Sequence, residues 1–137
     1  MNASELGAPA VRSAVNWSRL VWSLRILLAA IFLLTAIPKL AAVPVSVSMF
    51  HQIGLGLWFM YFVGAVELAG AVGLLVPRLA GVAAVGLCAD MLGASIVNVA
   101  ILHSGAVVLT VVLFAVCGFV ALSHRSTIST LAHQARS

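Results

Sequence analysis

Apolar residues in this chain come in long blocks rather than in strict alternation or narrow helical stripes. The blocks cover about residues 20–37, 58–76, 79–102 and 105–122, and they are broken at Pro38-Lys39, Pro77-Arg78 and His103-Ser104. A helix crossing a hydrocarbon core of about 30 Å needs about 20 mostly apolar residues, so each block reads as a transmembrane helix. Pro38 lacks an N–H and crowds the preceding turn, which predicts that the first helix stops at Ile37. The later blocks are joined by very short turns, which makes their helices antiparallel neighbours. Between the first two blocks, Ala42 to Leu57 mixes Pro44, Ser46, Ser48, His51 and Gln52 with Val45, Met49, Phe50 and Ile53. That stretch is too polar and too short to cross, and it predicts an outer-face cap. The expected fold is all-α: an integral membrane four-helix up-down bundle with a short interfacial or re-entrant segment between helices 1 and 2. The membrane domain spans residues 20–122, between an N-terminal tail at 1–19 and a C-terminal tail at 123–137, with mobile ends before about Ala14 and after about Ser126.

Composition agrees with that pattern. Of 137 residues, 64% are hydrophobic and 7% charged, against roughly 45–50% apolar and 25% charged in soluble domains. So few charges cannot make a water-facing shell, and lipid is the natural solvent. The net charge of +4 suggests an acidic partner at first sight. Placing the charges removes that suggestion. In a four-span chain Arg12, Arg19, Arg25, Arg78, Arg125 and Arg136 fall on one side and Lys39 alone on the other. Positive residues are retained on the cytoplasmic side, so the expectation is a multi-pass protein of a bacterial inner membrane with both termini cytoplasmic and no nucleic-acid partner. Trp17 and Trp22 near the inner boundary, and Trp58 and Tyr61 near the outer one, match aromatic belts. Leu40-Ala41-Ala42 resembles a signal-peptide cleavage site, but three further apolar blocks follow and the first is read as a retained span. Cys88 and Cys117 lie inside apolar runs without a CxxC spacing, so they read as small buried hydrophobes at comparable depth rather than as a disulfide or metal site.

The residues that carry chemistry are the ionisable ones at membrane depth, Lys39, Glu67 and Asp90. An insertion penalty of about 2.5–3.5 kcal/mol for a central charge argues against lipid-facing positions and for a shared interior. Depths agree: Glu67 lies about 15 Å from Pro77, Asp90 about 18 Å from Arg78, and Lys39 about 21 Å beyond Arg25 along helix 1. Helical spacing puts Met60, Gly64, Glu67, Ala71 and Leu74 on one face, and Gly86, Asp90, Ala94 and, slightly off-axis, Asn98 on another. Small residues beside the carboxylate, and the pairs Ala69/Gly73 and Ala89/Gly93, allow helices to approach closely. Thr35 lies one turn before Lys39. One lysine and two carboxylates leave one negative charge uncompensated, so one carboxyl is expected to be protonated or to meet a positive or donor ligand. Two readings follow. In the first, Lys39, Glu67, Asp90, Asn98 and Thr35 form a ligand or proton site. In the second, Lys39 and Glu67 only hold two helices together while Asp90 bonds Asn98 or the backbone. His51 and His103, both on the outer side, read as solvated loop residues, and no metal site is expected.

Thr35-Ala36-Ile37-Pro38-Lys39-Leu40, then Phe50 and Gly54-Leu55, then Glu67-Leu68-Ala69-Gly70 with Leu74-Leu75 and Pro77-Arg78, and finally Met91-Leu92-Gly93-Ala94 together resemble the DoxX-like family of small four-helix membrane proteins. The resemblance covers about residues 20–122, and Pro38 directly before the lysine departs from its pattern. It implies that Lys39 and Glu67 are the family's lysine and intramembrane glutamate; Asp90 has no counterpart in its motif. It also implies a membrane subunit or partner in a redox or stress-resistance system. A distant likeness to sterol-isomerase-type bundles adds lipid as a ligand class.

The function expected is therefore binding of a small hydrophobic ligand, a quinone or a lipid, at the Lys39/Glu67/Asp90 cluster, with no covalently bound cofactor. The chain lacks flavin, haem or thiol chemistry and any self-sufficient catalytic motif, so oxidoreductase activity would require a soluble or membrane redox partner protein. Oligomers are compatible with this reading. The alternatives are a structural or assembly factor without a ligand, and a small proton-coupled transporter. The transporter ranks last because its acid would lie in the first helix and its charge bias would be absent.

Overall fold

The computed structural model describes residues 3–125, 129 and 133–136, with side chains from Asn16 onward. Much of the C-terminal tail read from the sequence lies outside the described residues. The described residues form α1 (Ala3–Leu40), α2 (Pro44–Ile53), α3 (Gly56–Leu75), α4 (Ala80–Val97), a π-helical turn (Asn98–Leu102) and α5 (Val107–Ser123), with no strand among them. Three segments are long and apolar enough to cross a membrane: Asn16–Leu40, Gly56–Leu75 and Ala80–Leu102, at mean hydropathies of 2.3, 1.7 and 1.9. Helix α5 is apolar but shorter, at 17 residues or about 26 Å.

Two ends differ from the expectation. Helix α1 begins at Ala3, so residues read as an N-terminal tail have helical backbone; once a helix is nucleated, each added residue gains a hydrogen bond for two fixed dihedrals. At the other end α1 continues through Pro38 to Leu40. What stops it is a left-handed cap. Ala42 sits at φ 51°, its N–H donates to the Lys39 carbonyl at 3.2 Å, and the Val43 N–H donates to the Pro38 carbonyl at 3.0 Å. These are the two bonds of a Schellman motif, here with alanine where glycine is usual. The polar stretch does form a short helix, α2, which starts with proline at its first turn and ends on Gly54 at φ 84°.

Helix α1 packs on α3, α3 on α4, α4 on α5, and α5 returns to α1. The shared core contains Leu28 and Phe32 of α1, Ala71 and Leu74 of α3, Leu87 and Met91 of α4, and Leu113, Cys117 and Val120 of α5. Missing side chains set the closest approaches. A Cβ on Gly70 would lie 2.5 Å from Leu87, one on Gly73 2.8 Å from the Ala83 Cβ, and one on Gly64 3.1 Å from Leu40. Of the two small-residue pairs noted in the sequence, the one ending at Gly73 is a helix contact, whereas Gly93 borders open space.

The outward surface is apolar all round, with Leu34, Ile37, Trp58, Phe62, Val72, Ile96, Val108 and Leu122 exposed. Such a continuous apolar exterior is that of a membrane protein. Helix α2 closes one end of the bundle. It is held through Phe50, which is buried and meets the Phe59 ring at a centroid distance of 5.9 Å.

Candidate functional site

Helix α1 carries Lys39 into its last turn, where a cation also complements the helix carbonyl end. The opposite wall is the α3 face predicted from spacing: Met60, Gly64, Glu67, Ala71 and Leu74 are all buried. Because Gly64 has no side chain, α1 approaches α3 at Leu40 and Lys39, and the Lys39 stem can lie along α3 toward Glu67. The ammonium donates to both carboxylate oxygens, at 2.8 Å to Oε1 and 2.7 Å to Oε2. Its third direction goes to the Thr35 carbonyl at 3.3 Å. All three lysine donors are thus engaged. Glu67 is 2% exposed and the Lys39 side chain 18%. Thr35 lies beside the same carboxylate, and its hydroxyl donates to the Phe32 carbonyl at 3.0 Å.

Next to this pair is a cavity of about 350 Å³, bounded by all four long helices and roofed by α2 through Met49, Phe50 and Ile53. Its size falls within the about 300–1,000 Å³ of small-molecule sites. Thr35, Lys39, Glu67, Asp90 and Asn98 all line it, so the structure brings together every site residue proposed from the sequence. The polar groups differ in how well they are satisfied. Ser95 donates to Met91 O at 2.8 Å and also lies 2.9 Å from Thr110 Oγ1, which itself donates to Val107 O at 2.9 Å. Asn98, 7% exposed, donates its amide to the Ala94 carbonyl at 2.9 Å, which fixes which end is nitrogen. Two buried acceptors have no partner, Asp90 Oδ2 and Asn98 Oδ1. No hydrogen bond joins Asp90 and Asn98, which stand eight residues or about 12 Å apart along the helix; Asn98 turns its donor to the backbone. The π-helical turn starts at Asn98, whose carbonyl accepts from Ser104 N–H at 3.1 Å, and ends on His103 at φ 47°.

Sequence reasoning missed Arg25. Counted there among the charges marking the cytoplasmic side, it is buried, at 3% exposure. Its Nε donates to the Leu74 carbonyl at 2.6 Å, its guanidinium carbon stands 4.2 Å from the centre of the Trp22 ring, and Nη2 has no partner. Leu74 belongs to the last turn of α3, whose carbonyls lack helical partners, so Arg25 caps a neighbouring helix. The available signal was its position inside an apolar block, three residues after a tryptophan. Gly86 also departs from its predicted face. It is exposed and lines an apolar groove of about 310 Å³ between α3 and α4, because the helix is rotated to bury Leu87. Cys117 is fully buried, and Cys88 points its sulfur at the Phe114 carbonyl at 3.7 Å, so both thiols lie at the α4/α5 contact and both are free. His51 and His103 are exposed, and no cluster of three metal-ligating side chains occurs among the described residues.

Compared with known proteins, residues 23–120 match the family described as the DoxX-like family. No curated protein and no solved structure matches the chain.

Proposed function

The chain belongs to the DoxX-like family, and on that premise we propose that it is a four-span, up-down membrane subunit that binds a small hydrophobic ligand, a quinone or a lipid, in the cavity beside Lys39 and Glu67. Both termini lie in the cytoplasm of a bacterial inner membrane, and any redox or stress-resistance role runs through a partner protein. One observation supports this above the others. A cavity of about 350 Å³ at membrane depth contains two buried acceptor oxygens without partners, Asp90 Oδ2 and Asn98 Oδ1. Leaving such a group unmet costs about 1–3 kcal/mol, a cost that a ligand with hydrogen-bond donors, such as the hydroxyls of a reduced quinone or of a lipid head, removes. Lys39 and Glu67 then serve as a charge-neutral wall that holds α1 against α3.

The engaged state of Lys39 favours the second reading, in which the pair is purely structural. Solvent extraction of the protein purified in native-lipid discs separates the two. A ligand-binding protein yields a small apolar molecule enriched over bulk lipid at about one per chain, and Ala94→Leu, which fills the cavity, depletes it. Bulk lipid alone from both samples would leave the structural reading.

A further inference from the structure

The hydrogen-bond inventory of the cavity is one-sided. Lys39 has spent its three N–H groups on Glu67 and Thr35, and the Thr35 and Thr110 hydroxyls donate to backbone carbonyls. Asn98 has turned its amide nitrogen to Ala94. The oxygens left open are acceptors, Asp90 Oδ2 and Asn98 Oδ1, both buried. A quinone head presents carbonyl oxygens, which need donors, and with Asp90 ionised no lining side chain has one wholly uncommitted except the second amide hydrogen of Asn98. Charge points the same way. Lys39 neutralises Glu67 at 2.7 Å, leaving the Asp90 carboxylate without a cation of its own.

We propose that the ligand is a cationic amphiphile, a protonated amine on an apolar tail, with its N–H groups donated to the Asp90 carboxylate and its tail among Phe50, Met91 and Leu113. A single ammonium answers both deficits, because it supplies three donors and one positive charge. The apolar remainder of the wall matches the tail. This deepens the ligand-binding reading above and rests on it: Asp90, rather than the Lys39–Glu67 pair, selects the head group.

The test uses the full chain in lipid nanodiscs and three probes with the same ten-carbon tail: decylamine, 1-decanol and decylubiquinone. Thermal unfolding is followed against probe concentration. Decylamine is expected to raise Tm saturably, with 1-decanol and decylubiquinone at least tenfold weaker, and Asp90→Asn is expected to shift the decylamine midpoint at least tenfold while leaving the unliganded Tm close to wild type. Equal action of 1-decanol and decylamine overturns the proposal, as does an unchanged midpoint in Asp90→Asn. Stabilisation by decylubiquinone alone overturns it while the ligand-binding reading stands; stabilisation by none of the three overturns both. The comparison of heads on the wild-type protein needs no variant, so misfolding of Asp90→Asn does not remove the test.

Discussion

Lys39 holds both oxygens of the Glu67 carboxylate, at 2.7 and 2.8 Å, across 28 positions of sequence and from the neighbouring helix. One partner is almost fully buried and the other keeps an 18% exposed side chain. Removing one member of such a pair leaves the other charge without compensation in a medium that cannot solvate it, whereas removing both leaves an apolar contact.

Lys39→Met is therefore expected to destabilise the protein by about 3–5 kcal/mol, and Lys39→Met with Glu67→Leu to recover most of that loss. A double-mutant cycle on unfolding in mild detergent measures it. Additive single effects would show that the pair contributes no coupling.

Arg25 makes a second, separate prediction. Its Nε caps the Leu74 carbonyl at the end of α3, and a hydrogen bond from a charged donor contributes about 1.5–3 kcal/mol. Arg25→Met should lose an amount of that order, while exposed Arg78→Gln should stay within about 0.5 kcal/mol. Equal small effects in thermal unfolding would return Arg25 to the role of a surface charge.

Glycine contacts on α3 and α4 predict opposite outcomes for one chemical change. Gly73→Ala places a methyl 2.8 Å from the Ala83 Cβ, a position that cannot rotate away, and is expected to cost about 1–3 kcal/mol. Gly86→Ala meets nothing within 4 Å and should gain up to about 1 kcal/mol from helix propensity. Unfolding midpoints of the two variants check the pair.

Ala42 occupies the left-handed cap of α1 at φ 51°. An L-residue there costs roughly 1–2 kcal/mol, and glycine returns about 0.4–1 kcal/mol of that as unfolded-chain entropy. Ala42→Gly should thus stabilise by roughly 0.5–1 kcal/mol in the same assay; a loss would show that the cap geometry is not as described.

Orientation is testable chemically. In a background with Cys88 and Cys117 replaced by alanine, a cysteine at Ser48 of α2 should react with a membrane-impermeant maleimide on intact spheroplasts. A cysteine at Arg78, on the opposite face, should react only after permeabilisation. The reverse pattern would invert the proposed topology.

Much of this protein could be read from its sequence because the bilayer imposes a strong condition. Backbone groups in lipid must be paired within a helix, so blocks of about 20 apolar residues could be read as helices, and the cost of an intramembrane charge directed attention to Lys39, Glu67 and Asp90. The α3 face from Met60 to Leu74 was also legible, since period alone places those residues together. What the tertiary structure decided was pairing. Arg25 stands out locally only as an arginine inside an apolar block, and it is the neighbouring end of α3 that makes it a buried cap. Pro38 reads as a helix stop, but the cap bonds at Ala42 and Val43 carry α1 to Leu40 and so set Lys39 where it reaches Glu67. Asp90 and Asn98 both line the cavity but stand eight residues apart, and packing supplies neither with a donor, so Asp90 Oδ2 and Asn98 Oδ1 remain open acceptors. Helical period and transfer energy are local quantities that add along the chain. Which donor meets which acceptor depends on how helices rotate against one another, and that is settled by packing at positions such as Gly64, Gly70 and Gly73.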